Sequence, residues 1–394
     1  MTEQHGMTEF LKREGWLVRP DLAELVAAVG PLRWVGGAVR DTLLGLAVKD
    51  MDAATPLLPE EVIARCKTAG IRTVPTGIEH GTVTALTEGG PVEITTLRHD
   101  VSTDGRRATV AFAQDWRDDA ARRDFTINAL YVDPATGEVF DYFGGLADLA
   151  ARRVRFIGDA AQRIREDHLR ILRYFRFQAR FGQTPDPEAE QACAALAATL
   201  KGLSRERIGM EMMNLLGLPD PAPTVARMAE LGVLAVVLPE ACVEALADLV
   251  AQERAQGVAP DAVRRLAALL PAQSGLAEQV ASRFRLSGAQ KKRLSQAAAR
   301  GKDTGDARAM AYALGMEGAM DRLLLNGGSI APLGGWTIPL FPLKGGDIVA
   351  RGVAAGPRIA HILRSVEGRW VAEEFPDAAR VEELLNEALL NEAP

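Results

Sequence analysis

Two rhythms of apolar and polar positions divide this 394-residue chain. Up to about residue 150, short apolar runs with period-two alternation sit between Gly- and Pro-containing breaks, as in a mixed α/β region. Leu32–Val35, Ala47–Ala54, HGTVTAL (80–86) and VEITTL (92–97) read as strands, the last two joined by the hairpin signal EGGP. ALYVD (129–133) and EVFDY (138–142) predict a second hairpin around Pro134–Gly137. Helical spacing fits Asp21–Val29, Ala38–Leu44, Pro59–Ala69 with proline in its first turn, and Ala120–Leu130. From about residue 158 the period becomes helical. AQRIREDHLRILRYFRFQARF (161–181) predicts one long helix, and later helices are broken by PDPAP (219–223) and LNGGSIAPLGGWTIP (325–339). The pattern is an N-terminal mixed domain carried on a helical remainder.

Length predicts roughly two to four domains rather than one core. Hydrophobic residues make up 47% and charged residues 25%, ordinary for a globular protein, and the net charge of −6 excludes a uniformly basic nucleic-acid binder. The three cysteines (Cys66, Cys193 and Cys242) are widely spaced, which argues against a zinc site or a disulfide framework. With no apolar leader and no run of about 18 apolar residues, a cytoplasmic protein without membrane contact is expected.

Candidate chemistry begins at VKDMDAAT (48–55). On a strand, Asp50 and Asp52 share a face across Met51. Two carboxylates held together repel unless a cation pairs them, and Mg²⁺ takes a few carboxylate oxygens together with substrate phosphates. An exposed strand end explains the same DxD without chemistry. Upstream, Gly36 and Gly37 end a strand and open a helix, where backbone N–H groups can meet a phosphate; a tight turn needs the same glycines. Arg40 could add a phosphate contact or simply pair with Asp41. Glu93, on VEITTL, could bring a third carboxylate or form a rim salt bridge.

GGAVRDTLLGLAVKDMD (36–52) resembles the catalytic block of the nucleotidyltransferase superfamily. With LRHDVSTDGRRATV (97–110), ARRDFTINAL (121–130), DYFGGLADL (141–149) and IREDHLRILRYFRF (164–177) following in family order, the chain resembles the bacterial and eukaryotic tRNA nucleotidyltransferases, or CCA-adding enzymes, and the related poly(A) polymerases. The resemblance covers roughly residues 30–210 closely and the remainder loosely. It implies an α+β fold: an N-terminal nucleotidyltransferase head, a mixed β-sheet with flanking helices, followed by an all-helical neck, body and tail. The corresponding domains are 1–150 (head), 151–218 (neck with a nucleobase-binding helix), 219–305 (body) and 306–394 (tRNA-binding tail). It implies template-independent addition of CCA to the 3′ end of tRNA from CTP and ATP, with release of pyrophosphate. Asp50 and Asp52 would hold two Mg²⁺ ions; Glu93, from its strand position alone, is the candidate third carboxylate. Gly36, Gly37 and Arg40 would face the triphosphate, Arg123 the nucleotide, and Asp124 and Asn128 the ribose. Asp167 and Arg170 would read the base, with Arg173 and Arg176 as further nucleotide contacts and Glu166 orienting Arg170 or a neighbour. Partners would be the tRNA acceptor end and elbow; the sequence does not fix the oligomeric state. Poly(A) or A-only addition is the nearest alternative, and an inactive RNA-binding homologue a more distant one.

The EDHLR block supports base reading on chemical grounds as well. Cytosine and adenine both present an amino donor beside a ring-nitrogen acceptor, so an Asp can accept and an Arg can donate. Uracil and guanine reverse both groups, and leaving buried polar groups unpaired discriminates strongly. On an unbroken helix, positions 167, 170, 173 and 176 follow an i+3 row, while Ile164, Ile171 and Phe175 share an apolar face. The plain alternative is a solvated Asp167–Arg170 salt bridge. Two later stretches bear on RNA. Residues 279–302 hold seven Lys/Arg and no acid, which suits phosphate contacts or an ordinary solvated face. In 356–371, Ile359, Ile362, Leu363, Val366 and Trp370 form a helical stripe that reads as core, with Arg358, Arg364 and Arg369 on the polar side. The five histidines form no His-Asp metal cluster, so no added phosphohydrolase activity is expected.

Overall fold

The computed structural model describes residues 15–104, 107–113, 115–301 and 306–391. The chain divides into two compact units, 1–239 and 240–394. The fold is α+β, an N-terminal mixed sheet with flanking helices followed by helices alone.

The first unit is built on a seven-stranded sheet of β1 (Arg33–Val35), β2 (Met51–Thr55), β3 (Arg72–Gly77), β4 (Thr82–Thr87), β5 (Gly90–Thr96), β8 (Leu130–Val132) and β9 (Val139–Asp141). Their order is β3-β4-β5-β2-β1-β8-β9. β2 and β5 run parallel, and the other neighbours are antiparallel. A separate two-stranded ribbon, β6 (Arg98–Asp104) and β7 (Arg107–Phe112), leaves the sheet at Leu97, whose N–H donates to Thr55 O at 2.8 Å. β2 is shorter than the run 47–54. Its pairing with β5 starts at Met51↔Val92, and the preceding β5 residue is Pro91, which has no N–H to donate, so Asp50 stays outside the strand.

Helices α1 (Pro20–Val29) and α3 (Pro59–Thr68) pack on each other; α3 starts with proline as expected, and α1 begins one residue earlier than expected, also at a proline. α2 (Gly37–Leu43) follows β1 through Gly36, whose φ of 74° suits glycine. The expected helix 120–130 is absent. α4 (Trp116–Ala121) stops early, Phe125 bridges to Phe156, and a 3₁₀ turn, Thr126–Asn128, leads into β8. Tertiary packing overrides propensity here, because Phe125 is fully buried with ring centroids 5.0 Å from both Phe156 and Phe177. After α5 (Gly145–Ala150), the long helix 161–181 is also not continuous. It divides into α6 (Ala160–Glu166) and α7 (Arg170–Phe181), with Asp167 extended at φ −147°, ψ 105°. The Asp167 carboxylate accepts from Leu169 N at 3.1 Å and so offers the backbone a turn in place of a helix. Ile164, Ile171 and Phe175 remain buried together despite the break. α8 (Pro187–Leu196) and α9 (Arg205–Leu216) continue the helical part of this unit.

In the second unit the 356–371 stripe is core: Ile362, Val366 and Trp370 are buried with Leu384 and Leu385, and Ile359 and Leu363 pack beside them. Three arginines of the basic run 279–302 are spent inside the unit. Arg283 pairs with Glu240, Arg293 with Asp261 and Asp321, and Arg300 donates to the carbonyls of Ala267 and Leu270. These arginines hold helices together rather than presenting a phosphate-binding face. Lys302 lies outside the described residues.

Gly145 packs so tightly that a side-chain carbon there would overlap the carbonyl oxygen of Thr126. Gly145→Ala is expected to cost about 1–3 kcal/mol, read as a lower urea midpoint at unchanged slope. An unchanged midpoint would show that the 126–128 turn yields freely.

Candidate nucleotide cleft

In the first unit, the turn between β1 and α2, the segment after α4, the α6–α7 break and α9 converge on a cleft of about 700 Å³. Eight arginines line it against four carboxylates, Asp52, Asp124, Asp167 and Glu211. Such an excess of positive charge suits a polyanion like a triphosphate.

The carboxylate side is built on adjacent strands. Asp52 on β2 stands in register with Glu93 on β5, Met51 is buried between the two aspartates, and Asp50 is exposed just before the strand. Burial pushes the Asp52 carboxyl up, Glu93 and Asp50 raise it further, and Arg123 and Arg40 oppose the rise. Asp52 therefore carries the repulsion of both neighbouring acids, and a divalent cation would relieve it. Among the described residues no group of three or more His, Cys, Asp or Glu is placed to hold a metal ion. An open set of two carboxylates is nevertheless the arrangement Mg²⁺ uses when phosphates and water complete its shell.

Beside Asp52 lies the Gly36–Gly37 turn. A side-chain carbon at Gly36 would sit 3.5 Å from Arg123 Nη1 and 3.9 Å from Asp52 Oδ2, so the bare backbone keeps this corner open. Arg123 is held from behind, with Nε donating to Tyr131 Oη at 3.1 Å and Nη2 to Asp119 Oδ2 at 3.2 Å. Burial opposes its charge, but Tyr131 and Asp119 more than compensate, and Arg123 stays firmly protonated.

A polar chain crosses the cleft floor. Arg40 donates to Asn128 Oδ1, Asn128 Nδ2 donates to Asp124 Oδ1 at 2.9 Å, and Arg173 Nε donates to Asp124 Oδ2 at 2.8 Å. Burial alone would raise Asp124, but the Arg173 charge and the hydrogen bonds hold it down at about 2. Arg40 is buried against Asp41 and lies over the Phe181 ring at 4.2 Å.

At the α6–α7 break, the side chains of Asp167 and Arg170 do not pair with each other. Asp167 Oδ2 accepts from Arg207 at 2.7 Å, and Arg170 Nη1 donates to Glu166 Oε2 at 2.6 Å and Arg163 O at 2.8 Å. Arg170 Nη2 reaches Arg122 O at 3.1 Å, and Arg176 Nε binds Glu211 at 2.6 Å.

The cleft thus gathers Gly36, Gly37, Arg40, Asp52, Arg123, Asp124, Asn128, Asp167, Arg170, Arg173 and Arg176. Asp50 and Glu93 stand beside Asp52 rather than on the lining, and Glu166 lies behind Arg170. Sequence reasoning missed Asp119 and Tyr131, which hold Arg123, and Arg207 and Glu211, which hold Asp167 and Arg176. The i,i+4 spacing of Arg207 and Glu211 in RERIGMEMMN was visible, but their partners are distant in the chain.

Residues 32–155 match the family described as "Poly A polymerase head domain", and residues 182–244 match "Probable RNA and SrmB- binding site of polymerase A". The chain is 36% identical over 366 residues to CCA tRNA nucleotidyltransferase 1, mitochondrial, of Danio rerio, spanning 87% of this chain and 84% of that protein. It is 42% identical over 199 residues to the CCA-adding enzyme of Latilactobacillus sakei, about half of each chain. Its fold matches the Bacillus stearothermophilus CCA-adding enzyme solved in complex with CTP, with a TM-score of 0.73, 26% identity, and coverage of 95% of this chain and 99% of that one.

Because the folded pKa of Asp124 lies below its unfolded value, its pairing stabilises the fold above about pH 4 and is lost as the pH falls toward 2. An Asp124→Asn variant is expected to be less stable at neutral pH, since Arg173 loses its charged partner, and to show a shallower decline between about pH 5 and pH 2. Urea titrations across this range check it; a slope equal to wild type would place the acid sensitivity elsewhere.

Proposed function

The chain belongs to the CCA tRNA nucleotidyltransferase family, and on that premise we propose that it adds CCA to tRNA 3′ ends from CTP and ATP, releasing pyrophosphate, without a nucleic-acid template. The observation that carries this reading is one cleft whose lining gathers Asp52, a cluster of arginines, Asp167 and Arg170. Asp52 with the arginines suits phosphoryl chemistry, and Asp167 with Arg170 suits the edge of a base.

In this reading the 3′-hydroxyl of the RNA attacks the α-phosphorus of the nucleotide and pyrophosphate leaves. Asp50 and Asp52 would hold Mg²⁺, two ions in all, with Glu93 in register beside Asp52 and adding to the negative field there. The bound cations would supply activation of the hydroxyl and neutralisation of the triphosphate. Arg123, with Nη1 toward the Gly36 turn, and Arg40 would receive triphosphate oxygens, and the glycines leave the backbone approachable. Asp124 and Asn128 would meet the ribose from the cleft floor, and Arg173 and Arg176 would add nucleotide contacts. Asp167 keeps acceptor capacity beyond its bonds to Arg207 and Leu169 N. Arg170, steadied by Glu166 and two carbonyls through its Nη atoms, keeps its Nε–H for a ring nitrogen.

The same proposal assigns head, neck, body and tail to 1–150, 151–218, 219–305 and 306–394, with tRNA met at its acceptor end and elbow. A cytoplasmic location belongs to the proposal as well. Among the described residues no helix is long and apolar enough to cross a membrane.

Incubation with tRNA lacking its CCA end, with CTP, ATP or both, is expected to give ordered addition that stops after CCA. Long A tails or addition of A alone would favour the poly(A) or A-only alternative, and no addition an inactive homologue. Asp52→Ala is expected to abolish transfer, and an Asp52→Ala enzyme with normal turnover would refute the metal assignment. Asp167→Ala is expected to admit UTP or GTP; unchanged discrimination among the four nucleotides would remove Asp167 from base choice.

A further inference from the structure

Asp119 has no contact assigned above to nucleotide or metal, yet it is fully buried behind the cleft lining and takes donors from three elements. Arg122 Nε reaches Oδ1 at 2.7 Å, and Tyr131 Oη reaches Oδ2 at 2.7 Å. Arg123 Nη2 joins Oδ2 at 3.2 Å, and the backbone N–H of Arg98 lies 3.4 Å from Oδ1. Arg98, Arg122 and Arg123 all line the cleft, and Arg98 begins the β6–β7 ribbon. Burial opposes the Asp119 charge, but Arg123 and Arg122 hold its carboxyl down at about 2.

A carboxylate buried this completely is an uncertain gain in stability, since desolvation offsets much of the attraction to its partners. What the arrangement does fix is direction. The Nε and Nη2 edge of Arg123 is occupied by Tyr131 and Asp119, and the remaining corner, Nη1, is the part that lies against the Gly36 turn. Arg122 is fixed through Nε in the same way, while its carbonyl oxygen receives Arg170. Without Asp119, both guanidiniums would have to find their orientation in each binding event, at a cost in side-chain entropy.

We propose that Asp119 is a positioning residue that aims Arg122 and Arg123 at the nucleotide triphosphate and ties their setting to the root of the β6–β7 ribbon. The inference rests on the triphosphate reading of the cleft given above. Because the triphosphate is common to both substrates, the effect of Asp119 falls equally on CTP and ATP. Base choice rests on the side chains of Asp167 and Arg170, neither of which bonds to Asp119, and is expected to persist.

The test is steady-state addition to tRNA lacking CCA by the full chain, with Asp119→Asn and, as a milder change, Tyr131→Phe, which removes one hydroxyl. Asp119→Asn is expected to raise KM for CTP and ATP together by about tenfold, the factor expected of one charge-assisted hydrogen bond, with kcat and discrimination against UTP little changed. Tyr131→Phe is expected to shift both KM values in the same direction by a smaller factor. In an Arg122→Gln/Arg123→Gln background, adding Asp119→Asn should weaken CTP binding by less than about twofold, since its targets are gone. A merely structural role predicts a loss of active enzyme and of thermal stability at unchanged KM. That result, or a rise for one nucleotide alone, overturns the inference. Should Asp119→Asn fail to fold, unchanged KM values for Tyr131→Phe overturn it equally. A wild-type enzyme that adds no nucleotide overturns the triphosphate reading and this inference together, whereas active wild type with unaffected variants overturns this inference alone.

Discussion

The buried carboxylate of Asp124 is the constraint on which the cleft depends. It receives Arg173 from α7 and Asn128 from the 3₁₀ turn, and Asn128 in turn receives Arg40 from α2. Three elements distant in sequence are fixed by one acidic group that is 8% exposed. A charge so placed must be paired, because leaving it alone in a low-dielectric interior is far costlier than the pair is favourable. The requirement acts as a geometric lock. The sheet side carrying Asp52 and the helix side carrying Arg170 keep their setting while Arg173 and Asn128 stay on Asp124.

The same logic repeats around the cleft. Each lining arginine whose bonds are described above leans on a carboxylate, an aromatic ring or a carbonyl behind it. Arg123 has Asp119 and Tyr131, Arg176 has Glu211, and Arg170 has Glu166. A group of guanidiniums this dense would repel itself if every charge faced inward. Pairing from behind lowers that repulsion and leaves N–H groups directed at the cleft. The second unit uses arginine differently. Arg264 and Arg265 are buried on Glu253, and Arg293 bridges Asp261 and Asp321. A run of basic residues in the sequence therefore says where positive charge is, not which way it faces.

Much of the first unit was legible because local signals agreed with the fold. EGGP between β-rich runs, proline at the start of α3, and a glycine pair between β1 and α2 each carry a mechanism that acts within a few residues. The failures come where a distant partner decides. Ala120–Leu130 has helical composition, yet Phe125 is drawn into the ring cluster with Phe156 and Phe177, and the backbone at 124–126 pairs with 155–157. Asp119 resembled any acid on a helix, and only the fold shows four donors converging on it. The DxD and EDHLR blocks marked where the chemistry sits, and the neighbours that aim those residues lay beyond any local pattern.

The break at Asp167 shows why such a miss matters. On a continuous helix, Asp167 and Arg170 would lie three residues apart on one face, where opposite charges readily pair. Paired with each other, the acceptor and the donor would each be satisfied, and a base would have to displace that bond. The extended backbone at Asp167 turns its carboxylate to Arg207 on α9, while Arg170 turns to Glu166 on α6. Each group is steadied by a different neighbour, and neither neutralises the other. Under the proposed function, this separation leaves an acceptor and a donor side by side for a cytosine or adenine edge, so the interruption of the helix is itself part of the reading device.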